Sequence, residues 1–291
     1  NTCTAAVGDP EATSLSRMLE AARDAGGPRH HFAVVQLPMN LLESGAMLTP
    51  NTGSHSGQTA LEYAQQERLA VLVNRPLNAI PGEGRAMIRL AELPLEVQTV
   101  AFDAQRERVG TLEEEYRREL APQIQAGGQG MPPDAYFRWA DELLRIRPAV
   151  QNLEHWEQIE SQMIAPHVHQ VLRALSQHFS GQLAERWEAW RDRYLPQLLL
   201  LLKELRREAT VKSRDRTAAL TARLDPLLPD ARRKESLSRK ALWVLLSTPG
   251  VTCVLNGMRT PAYVDDSMAV LRWSPVGPVR AAYDAVKAPP S

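Results

Sequence analysis

The sequence predicts an α/β protein interrupted by an all-α insertion, and three observations carry that prediction. Residues 237–271 read LSRKALWVLLSTPGVTCVLNGMRTPAYVDDSMAVL. An apolar helical stripe (Leu237, Ala241, Val244, Leu245) runs into the breaker Pro249-Gly250, then a β-branched run over 251–255. Asn256-Gly257 ends that run, and Pro261 opens a second helix at a position that tolerates a missing N–H. Second, residues 32–37 and 69–73 are short, apolar and β-prone, as in strands buried on both faces of a parallel sheet. Third, from about residue 96 to Val251 no strand pattern appears, and apolar side chains recur at helical steps.

In chain order, residues 11–25 form the first helix, with Leu15, Met18, Leu19 and Ala22 on one face. Asp9-Pro10 starts it and Gly26-Gly27-Pro28 stops it. Pro38 ends the strand over 32–37, and residues 43–58, rich in Gly, Ser, Thr and Asn, form a long loop. A short helix over 59–68 turns Leu61, Tyr63 and Ala64 inward, and the strand over 69–73 follows. Strand, helix and strand within about 40 residues make a βαβ unit with a right-handed crossover. Residues 76–85 carry two Pro and two Gly and read as a surface loop.

The grammar then changes. Leu112, Tyr116 and Leu120 are spaced by four, with Thr111 and Glu114 as a capping-box pair. Residues 127–133 are a linker, and residues 133–146 a helix holding Phe137, Trp139, Leu143 and Leu144. Leu153, Trp156, Ile159, Met163, Val168, Leu172 and Leu175 continue a helix that Pro166 should kink. Leu183, Trp187, Trp190, Tyr194, Leu198, Leu201 and Leu202 make another, with Pro196 inside it, and residues 211–228 a last, more charged one. Five helices holding four of the six tryptophans imply a bundle with its own core. The expected division is therefore 1–95, a partial β/α segment; 96–230, the inserted bundle; and 231–291, the last βα unit and tail.

Composition excludes more than it selects. Basic and acidic residues number 34 each, so the chain is neutral and offers no electrostatic case for nucleic acid or anionic membrane. With 44% apolar and 23% charged residues it reads as an ordinary globular chain, long enough for one large domain or two. Cys3 and Cys253 give neither a disulfide framework nor metal spacing, and Cys253, inside a strand run, reads as a buried inert thiol. No stretch approaches the roughly 20 apolar residues that span a bilayer, and no secretory leader is apparent, so the cytoplasm is the expected location.

Few residues present ready chemistry. His167 and His169, two apart, point to different faces of a helix and do not pair on a metal. His30 and His31 precede a strand and read as solvent-facing. His155 among Glu154, Glu157 and Glu160 lacks the second Glu-x-x-His that a di-metal bundle needs. Neither a Gly-x-Ser-x-Gly nor a phosphate-loop motif occurs. The strand, Gly turn and helix start at 251–261 form an arrangement that can hold an anion, with Arg259 as a supplement.

Three of these stretches together resemble the aldo-keto reductases. HFAVVQLPMNLL, residues 31–42, resembles that family's sixth strand with its Gln and downstream Asn. LAVLVNRPL, residues 69–77, resembles the seventh strand, commonly ended by Tyr-Ser-Pro-Leu, and residues 237–271 resemble the last αβα segment. The resemblance covers roughly residues 1–95 and 232–273 and implies the C-terminal part of a (β/α)8 TIM barrel, about three parallel strands. It also implies that Asn1-Thr2 is the trace of a loop after an earlier strand, and the chain the later part of a longer protein.

By the same resemblance the chain carries part of an NADP or NAD site. Gln36 would hydrogen-bond the nicotinamide carboxamide, and Asn74 stands where a Tyr stacks on the ring. Arg75, Pro76 and Leu77 replace the Ser-Pro-Leu at the pyrophosphate, with Arg75 supplying charge. Gly257 and Met258 replace a Lys-Ser pair at the 2′-phosphate, leaving Arg259 as its partner. Asp266 and Ser267 replace a Glu-Asn pair at adenine, and the substrate would be a small carbonyl or hydroxyl compound. The family's catalytic Tyr, Lys, Asp and His come from the first four strands. No catalytic residue and no metal ligand can therefore be named in this chain, and alone it is expected to be inert. The alternative expectation is a non-enzymatic, degenerate half-barrel whose helical bundle engages a protein partner.

Overall fold

The computed structural model describes residues 13–52, 57–80, 86–97, 100–124 and 132–287. In chain order these form α1 (Leu15–Gly26), β1 (Val34–Pro38), α2 (Gly45–Leu48), α3 (Ala60–Gln66), β2 (Ala70–Asn74), β3 (Asn78–Ala79) and β4 (Ile88–Arg89). Five helices follow: α4 (Phe102–Glu119), α5 (Trp139–Ile146), α6 (Leu153–Ile159), α7 (Ala165–His178) and α8 (Gln182–Leu224). The chain closes with α9 (Leu237–Leu246), β5 (Cys253–Val254), α10 (Pro261–Ala269) and α11 (Val279–Lys287). It is an α/β protein, mostly helical, with a small parallel sheet. Among the described residues no helix is long and apolar enough to cross a membrane.

Two compact units result: residues 1–92 with 215–291, and residues 93–214. The first holds the three-stranded parallel sheet in the order β1-β2-β5. Val34 to Pro38 pair with Ala70 to Asn74 in register, and Leu72 and Val73 pair with Cys253 and Val254. Alternation sends Val35, Leu37, Val71 and Val73 to one face, where they join Leu15 and Leu19 of α1, Leu61 and Ala64 of α3, and Ala241, Val244 and Leu245 of α9 in one apolar cluster. Each Val or Leu among them contributes about 1.5–3 kcal/mol on burial.

The opposite face is bare. Val34 is 49% exposed, Gln36 and Cys253 are exposed, and Leu72 is half-buried. The expectations of strands buried on both faces and of a buried Cys253 thiol therefore fail. The register aligns Gln36, Leu72 and Cys253 on the side that no described helix covers.

Local chemistry explains the element ends. Thr59 and Glu62 form a reciprocal capping box at α3, each bonding the other's backbone N–H at 3.2 and 2.8 Å. At α1, Gly27 adopts a left-handed φ of 63° and its N–H returns to Arg23 O, while the expected start at Asp9-Pro10 lies outside the described residues. Gly250, at φ 90°, closes the turn between α9 and β5, where a Cβ would sit 3.1 Å from Leu61 O. The surface loop expected over 76–85 holds β3, which pairs antiparallel with β4 just beyond it, and Ala79 and Leu90 are fully buried. Two-residue strands are too short to leave a periodic signal, and residues 81–85 between them lie outside the described residues.

The second unit is helical. Trp187, Trp190 and Tyr194 are spaced three and four apart on α8 and so share one face. Trp190 stacks on Tyr194 at 4.6 Å and on Trp187 at 5.4 Å, and Phe137 meets Trp190 at 4.8 Å and Tyr116 edge-on at 4.7 Å. The expected capping box at Thr111 and Glu114 is no helix start. The helix begins at Phe102, and Thr111 donates its hydroxyl to Glu107 O in mid-helix. Before Pro166 the chain makes a π turn over Glu160–Ile164, because proline offers no N–H to close the regular ladder. Pro196 is accommodated inside α8, which runs unbroken for 43 residues. Its last turns belong to the first unit, where Leu220, Leu224 and Leu228 enter the sheet-side core. Residues 215–230, placed in the insertion from sequence, thus pack with the sheet. Of the 127–133 linker, residues 127–131 lie outside the described residues.

Candidate functional site

The C-terminal ends of β1 and β2 carry a dense polar network. Its hub is Asn40, fully buried just past Pro38. Asn40 Oδ1 accepts the N–H groups of Leu42 (3.0 Å) and Glu43 (2.9 Å), the turn that an Asn after a strand favours. Its Nδ2 donates to Glu43 Oε2 at 2.8 Å and reaches Arg75 O and Asn78 O at 3.3 and 3.4 Å. Glu43 Oε1 receives Arg75 Nη2 at 2.7 Å, and Oε2 also accepts the N–H of Ile80 at 2.9 Å. One carboxylate therefore ties together the exits of both strands. Arg75 itself sits at φ 52°, a left-handed conformation that costs a side-chain-bearing residue about 1–3 kcal/mol.

Two buried polar atoms at this end make no hydrogen bond, Ser44 Oγ and Asn74 Oδ1. Ser44 is wholly buried, whereas Asn74 is half-buried and follows Leu72 on the bare face of the sheet. Gln36 lies on that face too, opposite Leu72. Pro76 is buried, and Leu77 packs against the core while its carbonyl accepts Leu90 N–H at 2.8 Å. The free charge expected of Arg75 is thus neutralised by Glu43, whose position 32 residues earlier no local pattern reveals.

The β5 end is differently built. Gly257, Met258 and Arg259 are all exposed, and a Cβ on Gly257 would meet nothing within 4 Å. Gly257 is not among the residues with positive φ, so the turn does not require glycine. Thr260 caps α10 by accepting Tyr263 N–H at 3.4 Å. Asp266 accepts Arg239 Nε (2.8 Å) and Ser238 Oγ (2.9 Å), and Ser267 accepts Asn256 Nδ2 (2.7 Å). Both residues fasten α10 to its neighbours. Arg239 is held protonated by its hydrogen bond to Glu235 and then by the charge of Asp266. Arg259 has no ionic partner among the described residues.

Gln36 on the open face and Arg259 past β5 are exposed and can meet a polar or anionic group, whereas Asn74 Oδ1 is shielded from solvent. This collection offers no proton donor poised for transfer. No group of three His, Cys, Asp or Glu side chains able to hold a metal occurs among the described residues. Sequence reasoning passed over Glu43 and Ser44; the spacing of Asn40 and Glu43, three apart after a strand, was the available signal. Compared with protein-family models, with curated proteins and with solved structures, the chain finds no match.

Proposed function

We propose that this chain is the C-terminal portion of an aldo/keto reductase-like, NAD(P)-dependent oxidoreductase acting on a carbonyl or hydroxyl compound, and that alone it is catalytically inert. The observation that supports the reading is the bare sheet face. Three parallel strands packed by helices on one side and open on the other form an incomplete unit, because parallel strands are ordinarily covered on both faces. Closure into a (β/α)8 TIM barrel would cover Val34, Leu72 and Cys253 and occupy both free strand edges.

The residues fit a dinucleotide in part. Exposed Gln36 suits a carboxamide and exposed Arg259 suits a phosphate, whereas buried Asn74 Oδ1 does not face a ligand on the open side. Arg75, Asp266 and Ser267 would act through the backbone positions that Glu43, Arg239 and Asn256 fix. When bound, the nicotinamide carries the hydride chemistry. The chain's own part is to orient it.

Titration of the purified chain with NADPH and NADH by fluorescence tests the reading. Saturable binding, weakened in both Gln36→Ala and Arg259→Ala, is the expected result. Absence of saturable binding favours the second reading, a degenerate half-barrel with a helical interaction module. The ion pair that consumes Arg75 is the observation on that side.

A further inference from the structure

We infer that the helical unit binds a small aromatic or alicyclic carboxylate in a groove along α7. His167, Gln170, Val171, Ala174, Leu175 and His178 follow one another at helical steps and form a single stripe of that helix. With Ile124 and Tyr136 opposite, they enclose about 410 Å³, inside the range of roughly 300–1,000 Å³ typical of small-molecule sites. Val171 and Leu175 are buried and make an apolar floor. Ala174, at the middle of the stripe, leaves the hollow that a larger side chain would fill.

Tyr136, His167, Gln170 and His178 can each donate a hydrogen bond from the side chain, and among the described residues no Asp or Glu lines the groove. None of the four side chains makes a hydrogen bond to a protein group among the described residues. His167 is oriented by ring contact alone, edge-to-face on Trp139 at 5.6 Å and 74°, which leaves both nitrogens available. Four side chains able to donate, around an apolar floor and with no anionic side chain beside them among the described residues, suit a ligand that brings acceptor oxygens on an apolar body. A carboxylate on a ring is one such molecule, and the bonds that imidazole, amide and phenol donate to a carboxylate are charge-assisted and of the strong kind.

The test uses the full chain with benzoate, 2-naphthoate and cyclohexanecarboxylate, followed by ligand-observed NMR and calorimetry. Ala174→Trp fills the hollow from a solvent-exposed helix position, and Arg173→Trp places the same bulk beside it, off the stripe. The double variant Gln170→Ala/His178→Ala removes donors without altering volume in the floor. We expect saturable binding that falls about tenfold or more in Ala174→Trp and in the double variant, with Arg173→Trp unchanged and helical circular dichroism preserved throughout. Failure of all three carboxylates to saturate overturns the proposal. So does binding that survives both groove variants, since it would then reside elsewhere, for instance on the bare sheet face.

Discussion

Replacing Glu113 with alanine should unfold the helical unit far more readily than any surface change. Glu113 lies on α4, is only 2% exposed, and caps α5 across the gap between the two helices. Its Oε1 accepts Trp139 N–H and Tyr194 O–H, both at 2.8 Å, and the carboxylate accepts Ala140 N–H at 3.2–3.3 Å. The cap residue of α5, Arg138, makes no such bond itself. Truncation leaves three buried donors without an acceptor, at about 1–3 kcal/mol each. Relief of a buried charge offsets part of that cost. The net loss should be about 3–5 kcal/mol, in the range of broken buried networks. Glu113→Gln keeps one acceptor oxygen and should lose about 1–2 kcal/mol.

The pH dependence has a definite sign. Burial pushes the Glu113 carboxyl above its ordinary 4.5, outweighing the three hydrogen bonds that lower it. A carboxyl raised in the folded state stabilises fully below the unfolded value, and that contribution is lost as pH climbs through the folded one. The wild-type unit should therefore lose stability relative to Glu113→Gln as pH rises above about 4.5. Urea unfolding followed by tryptophan emission reads this, because Trp190 stacks on Tyr194 and on Trp187. A loss under about 1 kcal/mol for Glu113→Ala would refute the cap.

Two indoles should respond unequally to the same change. Trp190 Nε1 donates to Leu112 O at 2.8 Å, whereas buried Trp156 Nε1 meets no acceptor, so Trp190→Phe should cost about 1–2 kcal/mol more than Trp156→Phe in the same melts. Gly250→Ala should destabilise the sheet unit by about 1–3 kcal/mol through backbone strain and the close Leu61 carbonyl, while Gly257→Ala should be silent by thermal melting. Lys240 is fully buried and donates to Asp225 Oδ1 and Arg233 O, both at 2.7 Å. Asp225→Ala, which strands that ammonium, should cost about 3–5 kcal/mol, and Lys240→Met clearly less. Equal losses for the two would show that the pair itself stabilises the fold.

What the sequence disclosed, and what it hid, divides along physical lines. Short β-branched runs placed β1 and β2, and Pro249-Gly250 placed the end of α9, because these are local backbone preferences. The bareness of one sheet face was hidden. A continuous apolar run reports a strand, not whether something covers its second side, so Cys253 read as buried. The Thr111 and Glu114 pair imitated a cap because a cap pattern is only four residues long, whereas α4 starts where its apolar face begins, at Phe102. Arg75 read as a free cation because its neutraliser, Glu43, is close in space only after β1 and β2 pair. The same holds for Glu113, a charged residue on an amphipathic helix until Trp139, Ala140 and Tyr194 surround it.

The pairing of β5 with β2 has a consequence for how the chain is made. Val71 and Thr252 bond one another across 181 residues of intervening chain. At about 5–20 residues per second of synthesis, β2 leaves the ribosome roughly 10–35 s before its partner exists. During that interval its outer edge is an unpaired parallel strand, while every described helix of residues 93–214 emerges and can pack on itself. The helical unit is thus placed to finish first, and the sheet to wait. The waiting edge of β2, more than any residue of the finished fold, is where a chaperone or a stray strand would meet this protein.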